Sequence, residues 1–172
     1  MEVCYGQFII IVIIYLILQG VGDGSQPLIS KYYGEGKTKD LKYIHKLALV
    51  FALFLSALGI LTFYMVRFDV GKLLSASDFV VNYTGEVFPI FLIAIPFIGI
   101  NRIITAGFYA SEKSIYSYIL TYIEPVLMLI FLLVLPPFFG GQIMVWWSIS
   151  LARILSAVLA VVLKKCDKSV VA

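Results

Sequence analysis

The chain has 172 residues, 62% of them hydrophobic and 13% charged, with a mean hydropathy of +1.02 and a formal net charge of +3. Soluble domains carry about 25% charged and 45–50% apolar residues, and a soluble core of this size could not hide so much apolar side chain. Composition therefore excludes the ordinary soluble enzyme or nucleic-acid-binding module and points to an all-α integral membrane protein.

A helix needs about 20 mostly apolar residues to cross the hydrocarbon core. Five segments qualify, at about 5–29, 47–66, 87–110, 115–135 and 143–163. They are long unbroken runs, which favours helices over the alternating strands of a barrel. With no internal repeat or low-complexity tract, the five read as a single transmembrane domain.

The first segment opens with an apolar run, Phe8 to Leu18, and has a polar second half. Its start lacks the basic region and small-residue cleavage site of a signal peptide, so it reads as a retained membrane helix. Next comes GDGSQPLISKYYGEGKT, residues 22–38, whose Gly36-Lys37-Thr38 imitates the end of a phosphate-binding loop. That motif needs a glycine where Lys31 stands, and a preceding strand. A solvated turn with Gly34 and Gly36 at the helix end fits better. His45, the single histidine, lies between Lys42 and Lys46 at the start of the second helix and reads as a solvated interfacial residue.

Pro89 and Pro96 in the third segment and Pro125 in the fourth are candidate kinks, either ordinary ones or bends that change during transport. Trp146 and Trp147 open the fifth segment, where an interfacial aromatic belt is expected. Cys4 and Cys166 lie near opposite ends and form neither a metal cluster nor a disulfide framework.

Charge placement gives the orientation. Lys31, Lys37, Lys39, Lys42, Lys46, Arg102, Lys113, Lys164, Lys165 and Lys168 fall on one side, and only Arg67 and Lys72 on the other. Such asymmetry places the lysine-rich turn and the C-terminus in the cytoplasm and Met1 outside. Asp23, Glu124 and Arg153 sit inside apolar segments, where ionisable groups are costly and face a bundle interior or cavity. A carboxylate such as Glu124 can carry a proton or pair with an organic cation. Its alternative is a buried structural pair, with Arg153 as the partner.

Gly24-Ser25-Gln26-Pro27-Leu28-Ile29-Ser30-Lys31-Tyr32-Tyr33-Gly34 resembles the G-x-Q-P-[LI]-[IV]-S-x-x-x-G segment of multidrug and toxic compound extrusion (MATE) transporters. Three further stretches fit in order. Phe88-Pro89-Ile90 with Gly99-Ile100-Asn101 resembles the tenth helix of that family, and Phe108 to Lys113 the turn after it. Leu135-Pro136, Phe139-Gly140 and Trp146 resemble the hairpin between its last two helices.

The resemblance implies the eighth to twelfth helices of a twelve-helix antiporter built from two six-helix lobes, so the chain is expected to be part of a longer protein. It further implies export of organic cations or xenobiotics across the plasma membrane by alternating access. The coupling ion would be H+ or Na+, with no bound cofactor, no catalytic residues and no metal site. Expected partners are the organic cation, membrane lipid and an N-terminal or other lobe, and no nucleic acid. The alternatives are a non-transporting membrane piece or assembly partner, or a lipid-linked polysaccharide flippase relative.

Glu124, Asp23, Asn101, Gln26 and Arg153 are the candidate transport and ion-handling residues. Asn101 lies near where some members carry a cation-binding aspartate. Ser150 stands where the family often has proline, Arg153 where it often has an acid, and Glu124-Pro125 where it often has Arg-Gln.

Overall fold

The computed structural model describes residues 2–66 and 78–166. Five helices account for nearly all of them: α1 (Glu2–Gly34), α2 (Thr38–Met65), α3 (Asp78–Ala110), α4 (Ser114–Phe139) and α5 (Gln142–Cys166). Each contains a stretch long and apolar enough to span a membrane. A spanning helix satisfies every backbone group within itself, which lipid cannot do. Arg67, Lys72 and Lys168, used above for orientation, lie outside the described residues.

The helices overrun the apolar segments at their polar ends. α1 continues through Pro27 to Gly34, and α2 already begins at Thr38, with Asp40 in its first turn. A carboxylate there suits the positive end of the helix dipole. The prolines at 89, 96 and 125 likewise sit inside continuous helices.

Two helix ends on the lysine-rich side close in the same way. At the end of α1, Lys37 N–H donates to the Tyr32 carbonyl (3.0 Å) and Gly36 N–H to that of Tyr33 (3.1 Å). After α3, Lys113 N–H donates to the Phe108 carbonyl (3.0 Å) and Glu112 N–H to that of Tyr109 (3.3 Å). This pattern needs a left-handed residue at its pivot. Gly36 supplies it at φ 67°, but the second turn uses Glu112 at φ 61°. The first turn is thus the solvated turn expected in place of a phosphate loop.

α3 is the central helix and packs against each of the other four, whereas α4 packs mainly on α5 and α3. The largest buried cluster joins Ile14 and Leu18 of α1, Ala48 and Ala52 of α2, and Phe88, Leu92, Ile95, Ile98 and Ile103 of α3. A second cluster joins Ile104 and Phe108 to Leu120 of α4 and Ala160 of α5. Large apolar side chains on α4, such as Ile115, Tyr122, Leu129 and Leu133, face outward.

Small residues set the helix spacing. Ala48, Ala52 and Ser56 form a buried stripe on α2, and Ser148, Ala152, Ser156 and Ala160 form one on α5. Such stripes let membrane helices approach closely, where dispersion and hydrogen bonds replace the missing hydrophobic drive. At Gly99 on α3 an added Cβ would lie 3.4 Å from Ser56 Oγ and 3.6 Å from Ala52 Cβ. Ser150 donates from Oγ to the Ile90 carbonyl at 2.8 Å and ties α5 to α3.

Trp146, near the start of α5, packs against α3. Its ring packs edge-on against Phe91, with centroids 5.4 Å apart, and its indole nitrogen is buried without a partner.

Candidate functional site

The apolar helices hold a polar centre. Glu124 of α4 faces Arg102 of α3 and Arg153 of α5. Arg102 Nη2 lies 3.7 Å from Glu124 Oε2, and Arg153 Nε lies 3.7 Å from Oε1. Asn101 Nδ2 donates to Ser156 Oγ at 3.0 Å and approaches Glu124 Oε2 at 3.3 Å. The guanidinium of Arg102 also sits 4.6 Å from the ring centroid of Tyr15 on α1, a cation–π distance.

Charge decides the character of this centre. One carboxylate stands against two guanidiniums, so the pairs leave a surplus of one positive charge. An arginine keeps its proton under all ordinary conditions. Glu124 is therefore held by positive neighbours from two other helices, and the sequence-level alternative of a pair with Arg153 is half of what is found. The other half, Arg102, entered the sequence reading only as a basic residue near a turn. Arg102 Nε and Asn101 Oδ1 remain buried without partners. In a low-dielectric setting such atoms are costly, and they recur where a site is completed by something else.

Beside the centre lies a cavity of about 360 Å³. α1 contributes Gln19, Asp23 and Gln26, α3 contributes Arg102, Thr105 and Tyr109, and α4 contributes Ser117. That volume falls within the range of small-molecule sites, about 300–1,000 Å³. Asp23 has no ion-pair partner among the described residues. Pro27, one helical turn on, lacks the amide that would close the helical bond to the Asp23 carbonyl. A carboxylate and a carbonyl deprived of its helical donor thus sit together on the α1 wall.

The five candidate residues separate into two groups. Glu124, Asn101 and Arg153 meet in the polar centre, and Asp23 and Gln26 meet on the cavity wall. Arg102 belongs to both and joins them. Its register was a usable signal, since Asn101-Arg102 are adjacent polar residues in an otherwise apolar stretch of α3.

His45 corrects the sequence reading outright. It is 4% exposed, not solvated. Lys164 Nζ lies 3.2 Å from its Nδ1, and Nε2 faces Gly107, where an added Cβ would stand 2.8 Å away. The missed signal is periodicity. Leu41, His45, Ala48, Ala52 and Ser56 share one buried face of α2, and Lys164 extends the i, i+4 stripe that contains Ser156 and Ala160 on α5.

Comparison with known proteins is short. The family model MatE matches residues 6–135, which covers α1 to α3 and most of α4. No curated protein and no solved structure matches. A match over most of the chain, together with five helices fit to span a membrane, establishes that this protein belongs to the MatE family of membrane transporters.

Proposed function

We propose that the chain is part of a cation-coupled multidrug efflux antiporter that exports organic cations or xenobiotics by alternating access. The observation that carries this reading is Asp23. It is a carboxylate without an ion-pair partner among the described residues, on the wall of a cavity of ligand size. An organic cation entering the cavity would meet Asp23, the amides of Gln19 and Gln26, and Tyr109. Ammonium groups favour both carboxylates and aromatic faces. Glu124 already faces two arginines, so its assigned role is to position Arg102 and not to bind the cation.

Coupling follows from the shared arginine. A proton or sodium ion at the α1 wall competes with the substrate for one carboxylate, and exchange of the two is antiport. In repeat-built transporters such sites lie at the interface between halves. The remaining wall is therefore assigned to a second lobe, and the 172-residue chain by itself is not expected to transport. The lysine-rich end is assigned to the cytoplasm of a plasma membrane by the positive-inside asymmetry.

The test is efflux of a fluorescent organic cation from cells carrying the complete transporter. Asp23→Asn should abolish gradient-dependent efflux while leaving membrane expression unchanged. Full efflux by that variant would remove Asp23 from the mechanism and the reading with it.

A further inference from the structure

His45, Lys164 and Gly107 form a second polar site, apart from the cavity. They come from the start of α2, the end of α5 and the last turns of α3, which meet at the lysine-rich end of the bundle. An ammonium has only donors. Lys164 therefore donates to His45 Nδ1 across 3.2 Å, and the ring proton sits on Nε2, which has no hydrogen-bond partner. The ring fits there because Gly107 has no side chain: a Cβ would lie 2.9 Å from Cδ2 as well as 2.8 Å from Nε2.

We propose that His45 is a proton-binding site whose occupation at Nδ1 releases the end of α5 from α2 and α3. The ring as it stands uses its one free lone pair to accept from Lys164. A proton arriving at Nδ1 takes that lone pair and converts the acceptor into a donor. Two cations then face each other inside a packed helix junction. Among the described residues the surrounding groups supply no counter-charge. α5 presents Lys164, α3 presents Gly107 and, one turn on, the neutral hydroxyl of Ser111, and α2 itself carries Lys42 and Lys46 on its exposed side. No carboxylate pairs with His45 or Lys164 among the described residues.

The lower-cost response is departure of Lys164. It lies in the last turn of α5, which ends at Cys166, and terminal turns open at little cost. Its neighbour Lys165 is already exposed. The protonated ring stays in the slot over Gly107, so α2 and α3 remain joined while α5 swings free. The site does not depend on Asp23 or on the identity of any solute.

The experiment uses the whole chain in lipid nanodiscs, with Cys4→Ser, a spin label on Cys166 and a second label at Lys42→Cys. Distances between the labels are measured by pulsed electron resonance from about pH 8 down to about pH 4. A narrow distribution at high pH should broaden and lengthen by roughly one helical turn at low pH. His45→Gln should hold the same distribution at both extremes. Lys164→Gln, which removes the like charge and keeps the histidine, should also abolish the pH dependence. An unchanged distribution in the parent chain would overturn the proposal. So would a pH-dependent lengthening that persists in either variant.

Discussion

Around Glu124 a carboxylate faces a guanidinium on each side, whereas at His45 a ring accepts from one ammonium with no paired carboxylate among the described residues. Both sites rest on α3, but on opposite kinds of residue. At the first, α3 supplies Asn101 and Arg102, and at the second it supplies the absence of a side chain at Gly107. The first site is held by charge and is robust to proton loss at its arginines. The second is held by shape and a single lone pair, and one proton suffices to disrupt it. A bundle can thus place a fixed electrostatic centre and a titratable junction on the same helix, less than two turns apart.

Removing charge from the first site should have the largest effect. Glu124→Gln leaves Arg102 and Arg153 facing each other with no anion between them. Breaking a buried pair costs about 3–5 kcal/mol, and the side chains here retain 17–23% exposure, so the lower end is expected. Arg153→Met should cost less, since Arg102 still neutralises Glu124. Unfolding midpoints in detergent micelles check the order. Equal stability of Glu124→Gln and the parent would show that the centre is not held by charge.

Filling the second site should come next. Gly107→Ala forces the His45 ring to move, and overpacking of this kind costs about 1–3 kcal/mol. In a His45→Ala background the same change should become neutral or stabilising, because alanine is the better helix former by about 0.5–1 kcal/mol. This sign reversal is a double-mutant cycle in which shape is the only coupled quantity. An identical penalty in both backgrounds would mean that Gly107 matters for some contact other than the ring.

The smallest effect belongs to the exposed pair in the α1–α2 turn, where Lys37 Nζ lies 2.6 Å from Glu35 Oε2. The hydrogen bond from Lys37 holds the Glu35 carboxyl below its usual range, and the same bond raises Lys37. A lowered carboxyl favours the folded turn above the ordinary carboxylate range, and that contribution is lost as pH falls through the lowered value. A raised lysine contributes below the ordinary lysine range and loses its share as pH rises through the raised value. Both windows lie outside neutral pH, and water screens the pair, so its contribution to stability should not change between about pH 5 and about pH 8. Titration of Glu35 by NMR should move back toward the free glutamate value in Lys37→Met. A titration that ignores this substitution would assign the shift to another cause.

Legibility in the sequence varied from site to site. The resemblance carried by Gly24 to Gly34 named the family that the match over 6–135 establishes. Ionisable residues in apolar segments flagged Asp23, Glu124 and Arg153, because lipid makes such residues expensive wherever they occur. His45 escaped the same logic. Its lysine neighbours suggested water, and neighbours in sequence point to different faces of a helix. Only the buried stripe from Leu41 to Ser56 shows which face His45 is on. Arg102 was misjudged for a related reason: its nearness to a turn in sequence said nothing of Tyr15 and Glu124 on other helices.

The sequence by itself determined that this is an all-α membrane protein with five apolar segments, and which charges are stranded in them. Those properties follow from local composition: a run of apolar residues has one low-energy state in a bilayer, whatever its neighbours. Tertiary structure alone decided that Glu124 is shared by two arginines, that Asp23 lies beside a cavity with no ion-pair partner among the described residues, and that a glycine on α3 makes room for a histidine on α2. Each is a relation between helices, fixed by rotation and depth within the bundle. Close packing of small residues sets those two quantities, and no single helix contains them.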